Sequence, residues 1–286
     1  MGGSEDVEKR LVLSARAEMI HQIHRLTKRV RRAIWNYRQH LTHVPEVQGA
    51  TVSDLFIWRS SSEWETFFEI IDMPSLFTLD KCEESHEVQI VFFDKLGNSF
   101  LETTVEVTPN RRKTLALSEF IQKEHGEIGT FCIFHSHTPK SLCDIGSHLA
   151  ERGYTSYRYH GAPLRSYVHG NLDAIANVPE KGLQHLGGKS FLSRQYCLQY
   201  CLEAPNTYEL AIVNPTPAKQ KIICRSFSLG NVLLDSQVVW LPPKGCHTFK
   251  VVPKHGQQRV VFSSHLVMAR PLIFKVSDHK IDVFHG

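Results

Sequence analysis

The chain has 286 residues, 42% of them hydrophobic and 22% charged, with a formal charge of +4. That is enough apolar material for one large domain or two ordinary ones, and it excludes a disordered or fibrous chain. No apolar run approaches the roughly 18 residues of a transmembrane helix, and the opening MGGSEDVEKR lacks the apolar stretch of a signal peptide. The myristoylation pattern wants Ser or Thr where Asp6 stands. Seven cysteines without a C-x-x-C pair read as reduced thiols in a cytoplasmic protein.

The first expected element, over residues 1–45, is a long amphipathic helix. From Glu5 to His40 there is neither Gly nor Pro, and Leu11, Ala15, Met19, Ile23, Leu26, Val30, Ala33 and Tyr37 recur every third or fourth position. Such a helix is about 50 Å long, more than a small domain needs to cover itself, so part of the stripe is expected to pack on another copy, as a homo-oligomer, or on the neighbouring domain. Arg25, Lys28, Arg29, Arg31, Arg32 and Arg38 surround the stripe. They read first as a solvated face, with acidic residues at the amino end suiting the helix dipole, and second as a surface for nucleic acid or anionic membrane.

Residues 46–145 and 191–286 read as two β-sandwich units. The first contains VQIVFFDKLGNSFLETTVEVTPNRRKTLAL and the second QKIICRSFSLGNVLLDSQVVWLPPKGCHTFKV. Leu96-Gly97-Asn98 aligns with Leu229-Gly230-Asn231, Pro109 with Pro242, and, after a shift, CIFHSH with VVFSSH. Each copy reads as strand, Gly-Asn turn, strand, Pro turn, strand, with alternation along Leu101, Thr103, Val105 and Val107, and along Leu234, Ser236, Val238 and Trp240. Strands at this spacing without crossover helices predict a mainly β fold: two tandem antiparallel sandwiches preceded by the helix, their likeness reading as duplication or, since the match is short and made of turn residues, as convergence.

The run EVQIVFFDKLGNSFLETTVEVTPNRRKTLALSEF resembles the core of the sensory-rhodopsin-transducer-like family. The resemblance implies a small β-sandwich that assembles into oligomers and binds other molecules rather than catalysing a reaction. It assigns a role to no residue. The amino-terminal helix, the duplication and the connector described next depart from that family.

The connector, residues 146–190, holds the candidate binding site. Within ERGYTSYRYHGAPLRSYVHGN stand Arg152, Tyr154, Tyr157, Arg158, Tyr159, His160, Arg165, Tyr167, His169 and Asn171. Tyrosine faces suit the C–H-rich side of a sugar ring, and arginine forks suit carboxylate or phosphate. The stretch therefore predicts a glycan or sugar-nucleotide ligand at the junction of the two units. The alternative is ordinary strand packing. Residues 154–160 alternate, with Tyr157 and Tyr159 on one side and Arg158 and His160 on the other, and Gly161-Ala162-Pro163 can turn the chain into a second strand.

His135 and His137 project from one face of an expected strand and are candidate ligands for zinc or iron, with His160, His169 and a carboxylate such as Asp144 or Asp173 completing the set. That reading makes the protein a metal-dependent enzyme. No G-x-S-x-G, P-loop or G-x-G-x-x-G is present, so the leading expectation is a non-catalytic binding or assembly protein without a cofactor.

Overall fold

The chain divides into two compact units, Met1–His40 and Leu41–Gly286. A computed structural model describes Thr27 and residues 50–73, 85–109, 111–136, 149–151, 153–170, 174–254, 256–267, 270–277 and 280–286. The helix expected over 1–45 therefore lies outside the described residues, except for Thr27, which is helical.

The second unit is mainly β. Its strands are β1 (Thr51–Ser53), β2 (Phe56–Arg59), β3 (Trp64–Ile71), β4 (His86–Asp94), β5 (Ser99–Val107), β6 (Arg112–Ala116) and β7 (Ile128–His135). There follow β8 (Leu149–Glu151), β9 (Tyr154–Tyr159), β10 (Ser166–His169), β11 (Ile175–Val178) and β12 (Gly182–His185). The rest are β13 (Lys189–Cys197), β14 (Leu202–Glu203), β15 (Thr207–Val213), β16 (Gln220–Ser228), β17 (Leu233–Leu241), β18 (Cys246–Val251), β19 (Gln257–Leu266), β20 (Leu272–Ser277) and β21 (Lys280–His285).

Five sheets result. Sheet A has the order β2-β7-β4-β5 and sheet B the order β10-β9-β3-β6. Sheet C runs β13-β19-β16-β17, with β14 also pairing β19, and sheet D runs β18-β15-β20-β21. Sheet E is β12-β11-β1-β8. Strand for strand, A matches C and B matches D. Sheets A and B enclose a core of Trp58, Phe68, Ile70, Ile90, Phe92, Phe131 and their neighbours. Sheets C and D enclose Tyr208, Leu210, Ile222, Phe249, Phe262 and Ile273. Each fully buried aromatic ring contributes about 2–3 kcal/mol through the area removed from water.

Sheet E is a third layer outside sheet A, where Leu55, Ala174 and Ile175 cover Val91, Phe93, Cys132 and Phe134. It holds one departure from the expected antiparallel pairing, since β8 runs parallel to β1. The long excursion from β1 to β8 permits that direction.

The expected boundaries shift as well. Residues 154–169 do not bridge two finished units. They supply β9 and β10, half of sheet B, so the first sandwich extends well beyond 145.

The turn alignment is out by one residue. Asp94 N–H bonds the Asn98 carbonyl and Gly97 N–H bonds the Asp94 carbonyl; Ser228, Val232 and Asn231 make the same pair of bonds. The matching position to Gly97 is thus Asn231, not Gly230. Both take the left-handed conformation, at φ 80° and 63°. This is a three-residue hairpin loop closed by a left-handed residue, which Gly or Asn can occupy. The strand bulges agree, falling at Phe92/Phe93 and at Ser226/Phe227.

Gly97 is also where the sandwiches meet, because a Cβ there would lie 1.9 Å from the Pro243 carbonyl oxygen. A Cβ on Gly230 meets only Ser228 Oγ, at 3.7 Å. Gly97→Ala is therefore expected to lower the unfolding free energy by at least about 2 kcal/mol, and Gly230→Ala to change it by less than about 0.5 kcal/mol. Urea denaturation of the two variants checks the contrast.

Candidate functional site

β9 and β10 sort the candidate residues by face. Tyr154, Ser156 and Arg158 point outward from sheet B, and Thr155, Tyr157 and Tyr159 point toward the second sandwich. Tyr157 is 1% exposed. Its hydroxyl donates to the Ile57 carbonyl at 2.8 Å, and its ring meets Phe274 edge-on at 4.8 Å. Burial pushes its hydroxyl pKa far up. It is a packing residue of the seam and not part of an open surface. Tyr159, half-buried, lies 4.9 Å from the Trp64 ring.

The outward face of sheet B gathers most of the others. Pairing sets Glu69 beside Tyr154 and Tyr154 beside His169, and in the adjacent row Phe67 beside Ser156 and Ser156 beside Tyr167. Tyr154 and Tyr167 are diagonal neighbours, about 7 Å apart by sheet geometry, and they are 51% and 52% exposed. Arg165 stacks on Phe67 at 3.5 Å, and Arg158 lies over the same ring at 5.5 Å while pairing with Glu65. Phe67 is consequently buried although it faces outward. Glu69 accepts from Thr114 Oγ1 at 2.8 Å, and Arg112 approaches it at 3.3 Å.

Hollows border this hairpin and the serine turn beside it. A shallow groove of about 320 Å³ is lined by Ser60, Ser61, Ser62, Arg158 and His160. A second, of about 440 Å³, shares those serines and adds Lys123 and Glu127. A cavity of about 60 Å³, room for two waters or so, lies between the sandwiches beside Asp54, Tyr157, His169, Arg270 and His285. His285 donates from Nε2 to the His169 carbonyl at 2.9 Å. Burial drives its pKa down to about 4, with Arg270 and the His169 ring adding to the effect against that hydrogen bond.

His135 serves a different purpose from the one expected. Its Nε2 donates to Glu151 at 2.7 Å, and its Nδ1 faces His86 Nε2 at 2.9 Å. His86 Nδ1 lies 3.6 Å from Asp72. The four side chains form a buried row, Asp72–His86–His135–Glu151, and both nitrogens of His135 are engaged within it. Among the described residues no group of three or more His, Cys, Asp or Glu is placed to hold a metal ion. His137, Arg152 and Asn171, and with them Asp144 and Asp173, lie outside the described residues.

No protein-family model matches this chain. No curated protein matches it either. Among solved structures it is similar to a β-glucuronidase from glycoside hydrolase family 2, at 8% identity and a TM-score of 0.14, over 88% of this chain and 26% of that one. The chain thus spans about a quarter of that protein's length. A likeness at this score carries no argument about fold or function.

Sequence reasoning missed Arg59. It forms an ion pair with Glu209 of β15 at 2.6 Å and stacks on Trp64 at 3.9 Å and on Phe274 at 4.9 Å. Burial lowers its pKa, and Glu209 opposes that shift. Glu151, His86 and Asp72 were missed too; each reads in sequence as an ordinary strand-end residue.

Two outcomes follow from these environments. Folded, His285 stays neutral down to about pH 4; its ordinary pKa is 6.5. The unfolded chain binds more protons between those values, so the stability this group contributes is complete above 6.5 and is lost as pH falls toward 4. His285→Gln is expected to flatten that part of the profile, read as urea midpoints at successive pH values. His135→Ala, which strands Glu151 in the core, is expected to cost about 3 kcal/mol, measured the same way at neutral pH.

Proposed function

We propose that the second unit is a non-catalytic binding module whose outward sheet B face holds a carbohydrate or a similar polar ligand such as a sugar nucleotide. The observation that carries this reading is the pair of half-exposed rings, Tyr154 and Tyr167, set diagonally on one face beside Arg158, Arg165 and the carboxylates of Glu65 and Glu69. Rings of this kind stack on the C–H face of a sugar; the arginine forks bond its hydroxyls or a phosphate and the Glu65 carboxylate accepts from hydroxyls, while Glu69, buried and held by Thr114 and Arg112, supports the face from within. Ser156 lies between the two rings fully covered, and its hydroxyl has no hydrogen-bond partner among the described residues.

The same proposal takes the chain as a duplicated unit, supported by the shared strand order and the matching loops and bulges. It also takes the protein to be cytoplasmic. Cys132, Cys197, Cys201, Cys224 and Cys246 are free thiols, burial raises the pKa of Cys224 and Cys246 to about 12, and among the described residues no helix is long and apolar enough to cross a membrane.

Thermal-shift screening against a panel of glycans and sugar nucleotides tests the site. Tyr154→Ala, Tyr167→Ala and Arg158→Ala are each expected to weaken the ligand response about 10-fold or more while the unliganded melting temperature stays within a few degrees. Tyr157→Ala is expected instead to unfold the protein at lower temperature with or without ligand. A response unchanged in the three surface variants removes the proposal.

A further inference from the structure

The two sandwiches treat their matching outer faces differently. Sheet A is covered by sheet E, and its edge strand β5 carries Glu102, Thr104 and Glu106 outward. Pairing with β4 and β16 fixes the matching positions on β17 as Ser236, Val238 and Trp240. No sheet among the described residues covers sheet C, and β17 has no strand on its outer side. Val238 and Trp240 are each 55% exposed and Leu234 is 49% exposed. Leu229, Val232 and Leu233 of the adjoining loop and strand start are also more than half exposed.

β17 is a nine-residue edge with one charge, Asp235, and no proline. Edges of that kind are normally blunted by charge, bulging or cover, as β5 is by its glutamates; β17 bulges at its Leu234 end, and its stretch 235–241 pairs β16 without interruption. We propose that β17 pairs antiparallel with β17 of a second copy across a two-fold axis near Gln237, joining the two C sheets into one.

The strand's own sequence favours a copy of itself as the occupant. Antiparallel pairing about Gln237 sets Leu234 opposite Trp240, Ser236 opposite Val238, and Asp235 opposite Val239. No charge then faces a like charge, and the exposed apolar side chains of both copies form one stripe on a single face. β5 paired the same way would crowd four glutamates together. The six exposed apolar residues present on the order of 600 Å² per copy, of which edge pairing covers the part facing the partner strand, and the new ladder of edge backbone hydrogen bonds supplies the rest of the contact. Each end of the paired ladder then carries a tryptophan, Trp240, against an aliphatic side chain, a favoured kind of anchor for such a contact.

Sedimentation velocity of the full chain from about 1 to about 100 μM tests this pairing. The parent is expected to dimerise within that range. Val238→Lys combined with Trp240→Lys is expected to weaken association at least about 30-fold, since it removes the anchor and places four like charges on the joined face. Both positions are more than half exposed, so the melting temperature and circular dichroism are expected to hold. Thr104→Lys, at the matching position of the first sandwich, should dimerise as the parent does. A parent that stays monomeric throughout overturns the proposal. So does a doubly substituted chain that dimerises like the parent, which would assign the contact to another surface such as the amino-terminal stripe.

Discussion

A single buried cation fixes how the two sandwiches meet. Arg59 ends β2 in the first sandwich, pairs with Glu209 of β15 in the second, and has the rings of Trp64 and Phe274 beside it. A guanidinium taken out of water is costly unless charge, hydrogen bonds and stacking replace the lost solvent. Here the replacements come from both sandwiches at once: Trp64 from the first, Glu209 and Phe274 from the second. Pulling the halves apart would break the ion pair and the stacking on Phe274 together, while substituting either partner in place would leave the other charge short of its replacement for water. The surrounding apolar contacts of Tyr157, Val168, Ala211 and Leu272 supply area, while the ion pair supplies position.

That fixed seam explains why the tyrosines of β9 have such different surroundings. One face of the strand is sealed by the second sandwich, and Tyr157 with its hydroxyl on the Ile57 carbonyl becomes interior. The other face looks away from the seam, and Tyr154 stays in contact with solvent. Arg158 and Arg165 are held against Phe67, so this outward surface is ordered on its own, as the binding role proposed for it requires. Such preorganisation lowers the entropy cost of binding.

Much of this was legible in the sequence, and the illegible parts have identifiable causes. Strand alternation and turn residues are local signals, and they delivered the strands of both sandwiches and the left-handed hairpin loops. The one-residue slip arose because Gly and Asn are both acceptable at a left-handed position, so Leu-Gly-Asn offers two registers and only the backbone bonds choose between them. The alternation of residues 154–160 separated Tyr157 from Arg158 correctly. Which side was interior depended on Phe274 and Ala211, far along the chain, and no local pattern carries that information. The row from Asp72 to Glu151 was hidden for the same reason. His135 could be noticed, but its two partners, His86 and Glu151, stand on β4 and β8, and a lone histidine does not announce what it touches.

The close approach of Gly97 to the Pro243 carbonyl has a consequence for how this architecture can vary. Cys246 N–H bonds the Lys95 carbonyl, and Thr130 Oγ1 bonds the Lys244 carbonyl, so a hairpin tip of one sandwich is keyed into a corner of the other. Tips of antiparallel hairpins ordinarily absorb insertions freely. This one is wedged, and an added residue at either Lys95–Gly97 or Pro242–Gly245 would lever the seam open. Length change in related chains should therefore concentrate at the opposite ends of the sandwiches, leaving these two tips invariant in length even where their side chains drift.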